Sequence, residues 1–151
     1  MKMKILNPLA IIVFLATLSC TNKKKEDCNL LEMYSKQHRY LELIECKEGE
    51  GQVIKYATYI VAGERSFEVE KHLVDNYGMG KLKFTCCGWE PNDGKEGEII
   101  NSKLQKLNKY YHLAISMTGS AEKKNERDSL YIEMNRNKID YFEVSVRLLE
   151  I

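Results

Sequence analysis

The sequence predicts an α+β fold in which a mainly antiparallel, curved sheet of about five to six strands carries one main helix. Several segments alternate apolar and polar residues, which is typical of strands with one face in water. One central segment instead repeats its apolar residues at helical spacing. The expected order is β-β-α-β-β-β, preceded by a signal helix.

The first two strands are expected to form a hairpin. Residues 41–46 and 52–62 are rich in apolar and β-branched side chains, and the Gly-containing segment 48–51 lies between them. Two such runs around a glycine-containing turn are the pattern of a β-hairpin.

The main helix is expected over residues 64–77. Val69, Leu73 and Tyr77 recur at four-residue steps and form one apolar stripe. Gly78 follows as the residue that ends the helix in the left-handed conformation. The charged and polar positions are expected mostly on the wet side of the helix: Glu68, Glu70, Lys71, His72 and Asp75.

Further strands are expected after the helix. Residues 81–86 alternate strictly, which places Cys86 on the same face as Leu82 and Phe84. Residues 88–94 are expected to form a turn and residues 119–128 a polar loop. Residues 98–108 suit either a helix or a strand. Three later runs supply strand positions: Tyr111, Leu113, Ile115 and Met117; Leu130, Ile132 and Met134; Phe142, Val144, Val146 and Leu148.

The first nineteen residues have the layout of a secretory signal peptide. Lys2 and Lys4 precede an unbroken apolar run at 9–16, and the small residue Ser19 comes just before Cys20. A membrane-spanning helix needs about 20 apolar residues, so this run is too short to be one.

The segment Leu18-Ser19-Cys20 resembles the lipobox of bacterial lipoproteins. The resemblance implies cleavage before Cys20, diacylglycerol on its thiol and usually a third acyl chain on the new amine. Two or more acyl chains hold a protein stably on a bilayer. The expected location is the cell envelope. The outer membrane is the default, because Thr21 does not resemble an inner-membrane retention signal. Whether the domain faces the periplasm or the outside is left open.

The mature chain divides into a tether and a single domain. Residues 20–38 contain the lipidated cysteine, a polar tether and a possible short helix, and residues 39–151 form the α+β domain. The whole chain carries 23 basic and 22 acidic side chains. This balance gives no general attraction to nucleic acid.

Four cysteines remain once Cys20 is assigned to lipid, and an oxidising compartment favours disulfides among them. Three pairings are possible. A bridge between the neighbours Cys86 and Cys87 is disfavoured because adjacent strand residues point to opposite faces. We expect a long-range bridge from the region of Cys28 and Cys46 to this pair. A redox or metal-binding role for Cys86 and Cys87 is the less favoured alternative.

The hexapeptide Cys-Cys-Gly-Trp-Glu-Pro at 86–91 is the most distinctive segment. With the preceding helix, Gly-Met and Leu-Lys-Phe, it resembles a family of small uncharacterised exported bacterial proteins and lipoproteins, over roughly residues 53–93. The resemblance implies a domain of unknown function and supplies no reaction.

Five residues are candidates for a binding site. Trp89 is the only tryptophan, a residue type enriched at interface hot spots. It could equally close one end of the core. Glu90 could act as an acid or base if a second group faced it. Tyr56 and Tyr110 could belong to an exposed tyrosine face, and His112 shares the outward face with Tyr110. All three histidines are expected to stand alone.

No phosphate loop, nucleophile elbow or zinc-protease motif is present, so no catalytic residue, metal or cofactor is expected. The favoured hypothesis is a membrane-anchored envelope lipoprotein that acts as a binding, accessory or inhibitor module for an envelope protein or small ligand. The alternatives are a small envelope enzyme or thiol-redox protein using Cys86 and Cys87, and a passive envelope component. A deep pocket that unites Glu90 or His112 with other ionisable groups would favour the enzyme.

Overall fold

A computed structural model describes residues 28–151. The expected signal helix at 1–19, Cys20 and most of the tether lie outside the described residues. Within the described part, no helix is both long enough and apolar enough to cross a membrane.

The described chain contains nine strands and three α-helices, together with three short 3₁₀ turns. The strands are β1 Glu42–Glu48, β2 Val53–Ala62, β3 Leu82–Thr85, β4 Gly88–Pro91, β5 Gly97–Ile99, β6 Tyr111–Ser120, β7 Glu122–Lys124, β8 Leu130–Ile132 and β9 Tyr141–Glu150. The helices are α1 Leu30–Tyr34, α2 Ser66–Tyr77 and α3 Ser102–Leu107. The 3₁₀ turns are Gly63–Arg65, Asn92–Gly94 and Arg136–Lys138.

Seven strands form one antiparallel sheet in the order β1-β2-β9-β6-β4-β3, with β5 paired to β6 beside β4. The strands β7 and β8 pair only with each other. The predicted α+β class, with a mainly antiparallel sheet and one main helix, is confirmed. The strand count is higher than expected because β4, β5 and β7 contain only three or four residues, too few to show alternation.

The core lies on one face of the three long strands β2, β9 and β6. Their register aligns Tyr59 with Val144 and Val144 with Met117, and all three side chains are fully buried. The inward positions predicted for the last strand are confirmed, since each is at most 4% exposed: Phe142, Val144, Val146 and Leu148. Leu30 and Leu31 of α1 complete the cluster.

The helix α2 forms as the sequence predicts. Val69 and Leu73 are fully buried, and Gly78 ends the helix with φ 73°, its amide donating to the carbonyls of Leu73 and Val74. A left-handed glycine at this position is a common helix terminator. The solvent exposure expected for Glu70 is wrong, because this residue is only 9% exposed.

The ambiguous segment at 98–108 contains both predicted alternatives in succession. The strand β5 ends at Ile99, and α3 begins two residues after Ile100. The side chain of Asn101 accepts from the amides of Lys103 and Leu104, which caps the helix. The loop expected at 119–128 is partly wrong, since β6 extends to Ser120 and β7 follows.

The structure corrects two predictions about the Cys-Cys segment. Strand β3 ends at Thr85, and Gly88 pairs with Thr85, so Cys86 and Cys87 form a two-residue hairpin turn. Residues 88–91 are therefore strand β4 instead of a turn. Cys86 has φ 53°, which supplies the positive φ that tight hairpin turns require.

The disulfides join Cys28 to Cys46 and Cys86 to Cys87. The expected long-range bridge to the Cys86–Cys87 pair is wrong. Cys46 lies on β1 and the pair follows β3, and these strands are the opposite edges of the sheet. The objection to neighbour pairing does not apply because the two cysteines lie in a turn, where side chains need not alternate.

Tyr59 links α1 to the sheet through its buried hydroxyl group. The hydroxyl accepts from the amide of Leu31 at 3.1 Å and donates to Oδ1 of Asn29 at 2.8 Å. Burial is the main cause that raises the pKa of Tyr59 to about 12. Folding therefore favours the neutral phenol.

We predict that Tyr59→Phe lowers the free energy of unfolding by about 1 to 3 kcal/mol, since it leaves the Leu31 amide buried without a partner. The difference in free energy of unfolding between the wild type and Tyr59→Phe should decrease as pH rises between 10 and about 12. Over that range Tyr59 ionises in the unfolded chain before it ionises in the folded protein. Urea titrations of both proteins across that range measure the difference. Tyr56→Phe, on the other face of β2, is the control; equal effects of the two substitutions would contradict the prediction.

Candidate functional site

A groove lies between α2 and the β3–β4 hairpin. Its volume is about 550 Å³, within the range of small-molecule sites. Nine residues line it: Phe67, Glu70, Lys71, Val74, Asp75, Lys81, Leu82, Trp89 and Arg136. They come from the helix, the hairpin and the 3₁₀ turn that precedes β9.

An ion pair lies at the inner end of the groove. Nη1 of Arg136 donates to Oε2 of Glu70 at 2.5 Å, and their side chains are only 4% and 11% exposed. The other oxygen of Glu70 accepts from the amide of Leu82 at 2.6 Å. One carboxylate therefore connects α2, the start of β3 and the turn before β9.

Three aromatic rings surround the guanidinium of Arg136. Its Cζ atom lies 3.9 Å from the ring centroid of Phe67, 5.0 Å from that of Phe142 and 5.2 Å from that of Trp89. These distances suit cation–π attraction, which strengthens where water is excluded. The rings and Glu70 together fix the guanidinium in place.

Three buried donors at this site have no partner among the described residues: Nε and Nη2 of Arg136 and Nε1 of Trp89. Nε and Nη2 form one complete edge of the guanidinium, since Glu70 uses only Nη1. A buried donor left unpaired costs about 1 to 3 kcal/mol. Native proteins pair nearly all such groups, so three at one place are unusual.

Close backbone packing positions Arg136. The turn Gly63–Arg65 contacts the turn Arg136–Lys138, and a Cβ atom on Gly63 would lie 2.4 Å from the carbonyl oxygen of Arg136. Only glycine allows this approach. Asn135 stabilises the second turn, since its side chain accepts from the amide of Asn137.

The outer part of the groove carries three further charges. Lys71 and Asp75 pair with each other one helical turn apart. Lys81 is exposed and forms no ion pair with any residue in the described part of the chain. The groove therefore contains two compensated pairs and one uncompensated cation.

The structure separates the five residues that the sequence singled out. Trp89 lies in the groove, with its ring packed edge-on against Phe84 at 5.5 Å. Glu90 is the next residue of β4, so its side chain points away from the groove and is exposed. Glu90 instead shares a shallow depression with Cys86 and Cys87.

The other three candidates lie elsewhere. Tyr56 and His112 are on the sheet face opposite the core, and His112 is 14% exposed with Nε2 3.9 Å from a carboxylate oxygen of Glu98. Tyr110 is 52% exposed just before β6. None of the three lines the groove.

The expectation that the histidines stand alone is wrong for two of them. The rings of His38 and His72 lie 5.1 Å apart. Burial is the main cause that lowers the pKa of His38, and the charges of His72 and Arg39 add to it. Within residues 28–151, no three His, Cys, Asp or Glu side chains converge to hold a metal ion.

The surroundings of the Cys86–Cys87 disulfide favour a structural role. The depression beside it contains two carboxylates, from Glu90 and Glu122, and no cationic side chain. Reactive cysteines need positive surroundings that stabilise the thiolate. The redox alternative is therefore not favoured by the local charges.

Glu70 and Arg136 were not among the site residues predicted from the sequence. Glu70 shares a helix face with Phe67 and Val74, at three- and four-residue spacing, and this neighbourhood was the available signal. Arg136 lies in a polar turn whose composition gives no sign of burial. Only the tertiary fold brings the two together, across 66 positions of sequence.

A domain of unknown function, DUF4952, is found at residues 17–89. The matched span includes Glu70 and Trp89 and ends before Arg136. No curated protein and no solved structure matches the chain. The structure thus shows an α+β fold, and the match over residues 17–89 is consistent with the uncharacterised-domain family expected from the sequence.

We predict that Glu70→Gln and Arg136→Met each lower the free energy of unfolding by about 3 to 5 kcal/mol, because each leaves the opposite charge buried alone. The double variant should lose less than the sum of the two. Guanidinium chloride unfolding measures all three.

The matched control is Glu68→Gln on the same helix. Glu68 pairs with Arg65 at 3.0 Å, but both side chains are about half exposed. Such a pair contributes about 1 kcal/mol or less. A loss for Glu70→Gln no larger than for Glu68→Gln would show that the buried pair is not structurally important.

Proposed function

We propose that this chain is an envelope lipoprotein, anchored through acylated Cys20, whose domain is a binding or accessory module that uses the groove between α2 and the β3–β4 hairpin. The observation that carries the proposal is the set of unpartnered buried donors in an aromatic groove. An ion pair with a purely structural role would be expected to have its donors satisfied.

The charges in the groove support binding over catalysis. Glu70 is paired with Arg136, and Lys71 with Asp75, while Glu90 and His112 are absent from the lining. General acid–base catalysis needs a titratable group free to exchange a proton with substrate. The carboxylates that line this groove are held in ion pairs instead.

The anchor is supported by the first twenty residues alone. The charged, apolar and small-residue order is followed by a lipobox-like segment ending at Cys20. Acyl chains on Cys20 would hold the domain at the outer membrane without any contribution from its folded surface. The groove is then available for an envelope protein or a small ligand.

We predict that Cys20→Ala releases the protein from the membrane fraction and abolishes its labelling by palmitate. Thr21→Ala is the control and should keep both properties, because it leaves the acylated thiol in place. Cell fractionation and metabolic labelling measure the two outcomes. Unchanged membrane retention and labelling of Cys20→Ala would refute the anchor.

We predict that a photocrosslinking phenylalanine analogue at Lys71 captures a specific adduct in living cells. The same analogue at Lys47, on the edge strand β1, should not capture it. The two lysine side chains are both exposed, at 76% and 58%, so they differ mainly in their distance from the groove. Mass spectrometry identifies the adducts; the same adducts at both positions, or none at either, would contradict groove binding.

A further inference from the structure

We propose, building on the proposed function, that the ligand of the groove is an apolar monocarboxylate. Its carboxylate would pair with the Nε–Nη2 edge of Arg136, and its apolar body would lie along the side chains of Val74 and Leu82. This assignment depends on the donors, the charges and the shape of the groove.

The type of unpartnered atom in the groove defines the polar part of the ligand. Nε and Nη2 of Arg136 and Nε1 of Trp89 are all donors, so a ligand must bring acceptors. A carboxylate presents two acceptor oxygens at the spacing of the guanidinium fork. Because Glu70 uses only Nη1, the Nε–Nη2 edge is complete for a second, bidentate carboxylate.

The formal charge of the groove favours a ligand with a single negative charge. The pairs Glu70–Arg136 and Lys71–Asp75 cancel, and Lys81 is left as one formal positive charge. A monoanion neutralises this charge, whereas a phosphate monoester would bring one negative charge too many. The groove therefore matches a single carboxylate best.

The size and the apolar lining of the groove favour a ligand with an apolar body. The groove holds about 550 Å³ and its lining includes the apolar side chains of Phe67, Val74, Leu82 and Trp89. Phe67 stacks on the guanidinium and is 55% exposed, while Phe142 on the same cation is fully buried. Phe67 is therefore the more exposed of these two rings on the guanidinium, and the proposal requires its side chain to move aside to admit the carboxylate.

Trp89 provides the readout because it is the only tryptophan of the chain and lines the groove. The mature chain carrying Cys20→Ala, which lacks acyl chains, is titrated with octanoate and with 3-phenylpropionate. The matched neutral probes are octan-1-ol and 3-phenylpropan-1-ol. We expect saturable fluorescence changes with a carboxylate and binding at least about tenfold weaker for the corresponding alcohol. The comparison of octanoate with 3-phenylpropionate distinguishes an aliphatic from an aromatic ligand.

Variants locate the carboxylate. Arg136→Lys keeps the charge beside Glu70 but removes the fork, so it should abolish the preference for acid over alcohol. Lys81→Gln should weaken carboxylate binding. Lys83→Gln should not, because Lys83 lies on the face of β3 opposite the groove residue Leu82, pairs with Asp93 and does not line the groove. If circular dichroism shows that Arg136→Lys is unfolded, Trp89→Phe replaces it, with calorimetry as the readout. The loss of the indole donor should then weaken carboxylate binding.

The proposal is overturned if neither carboxylate gives a saturable response, or if acid and alcohol bind equally. It is also overturned if Lys83→Gln weakens binding as much as Lys81→Gln. Crosslinking at Lys71 separates this failure from that of the proposed function. A specific adduct at Lys71 without carboxylate binding would reject the carboxylate ligand but not the binding function of the groove. Absence of the adduct and of carboxylate binding would reject both proposals.

Discussion

The buried pair of Glu70 and Arg136 is the interaction on which the arrangement of this end of the domain depends. It joins the main helix, the β3–β4 hairpin and the turn before β9, which are distant in sequence. Burial of two charges contributes little net stability, and an apolar pair of similar volume often does as well. The pair therefore explains the geometry of the groove better than it explains the stability of the fold.

Close packing within the sheet fixes the position of the Arg136 guanidinium. Phe142 packs on the guanidinium, and the ring of Phe142 lies against Gly119 of the adjacent strand, where a Cβ atom would be only 2.5 Å from it. The backbone of Arg136 is positioned by its close approach to Gly63. These contacts leave the guanidinium with little freedom to move toward new partners, so a partner for its free edge has to come to it.

Local periodicity was sufficient to predict the long elements of the fold. The strands β6 and β9 and the helix α2, with Gly78 at its end, each repeat their pattern over ten or more residues. The disulfide pairing could not be predicted, because it depends on strand order, which places β1 and β3 at opposite edges. The burial of Arg136 was equally inaccessible, since nothing in a polar turn distinguishes it from its exposed neighbours.

Of the residues that line the candidate site, Trp89 was the one named from the sequence, because the rarity and chemistry of a residue can be read from a single position. Its true neighbours could not be read in this way. Glu90 adjoins Trp89 in sequence, but alternation turns its side chain to the other face. Phe67 and Arg136 instead line the groove with Trp89 from two other segments of the chain. Since a lipid anchor would free the folded surface from binding the bilayer, an aromatic groove with unpaired donors is better explained by a ligand than by the membrane.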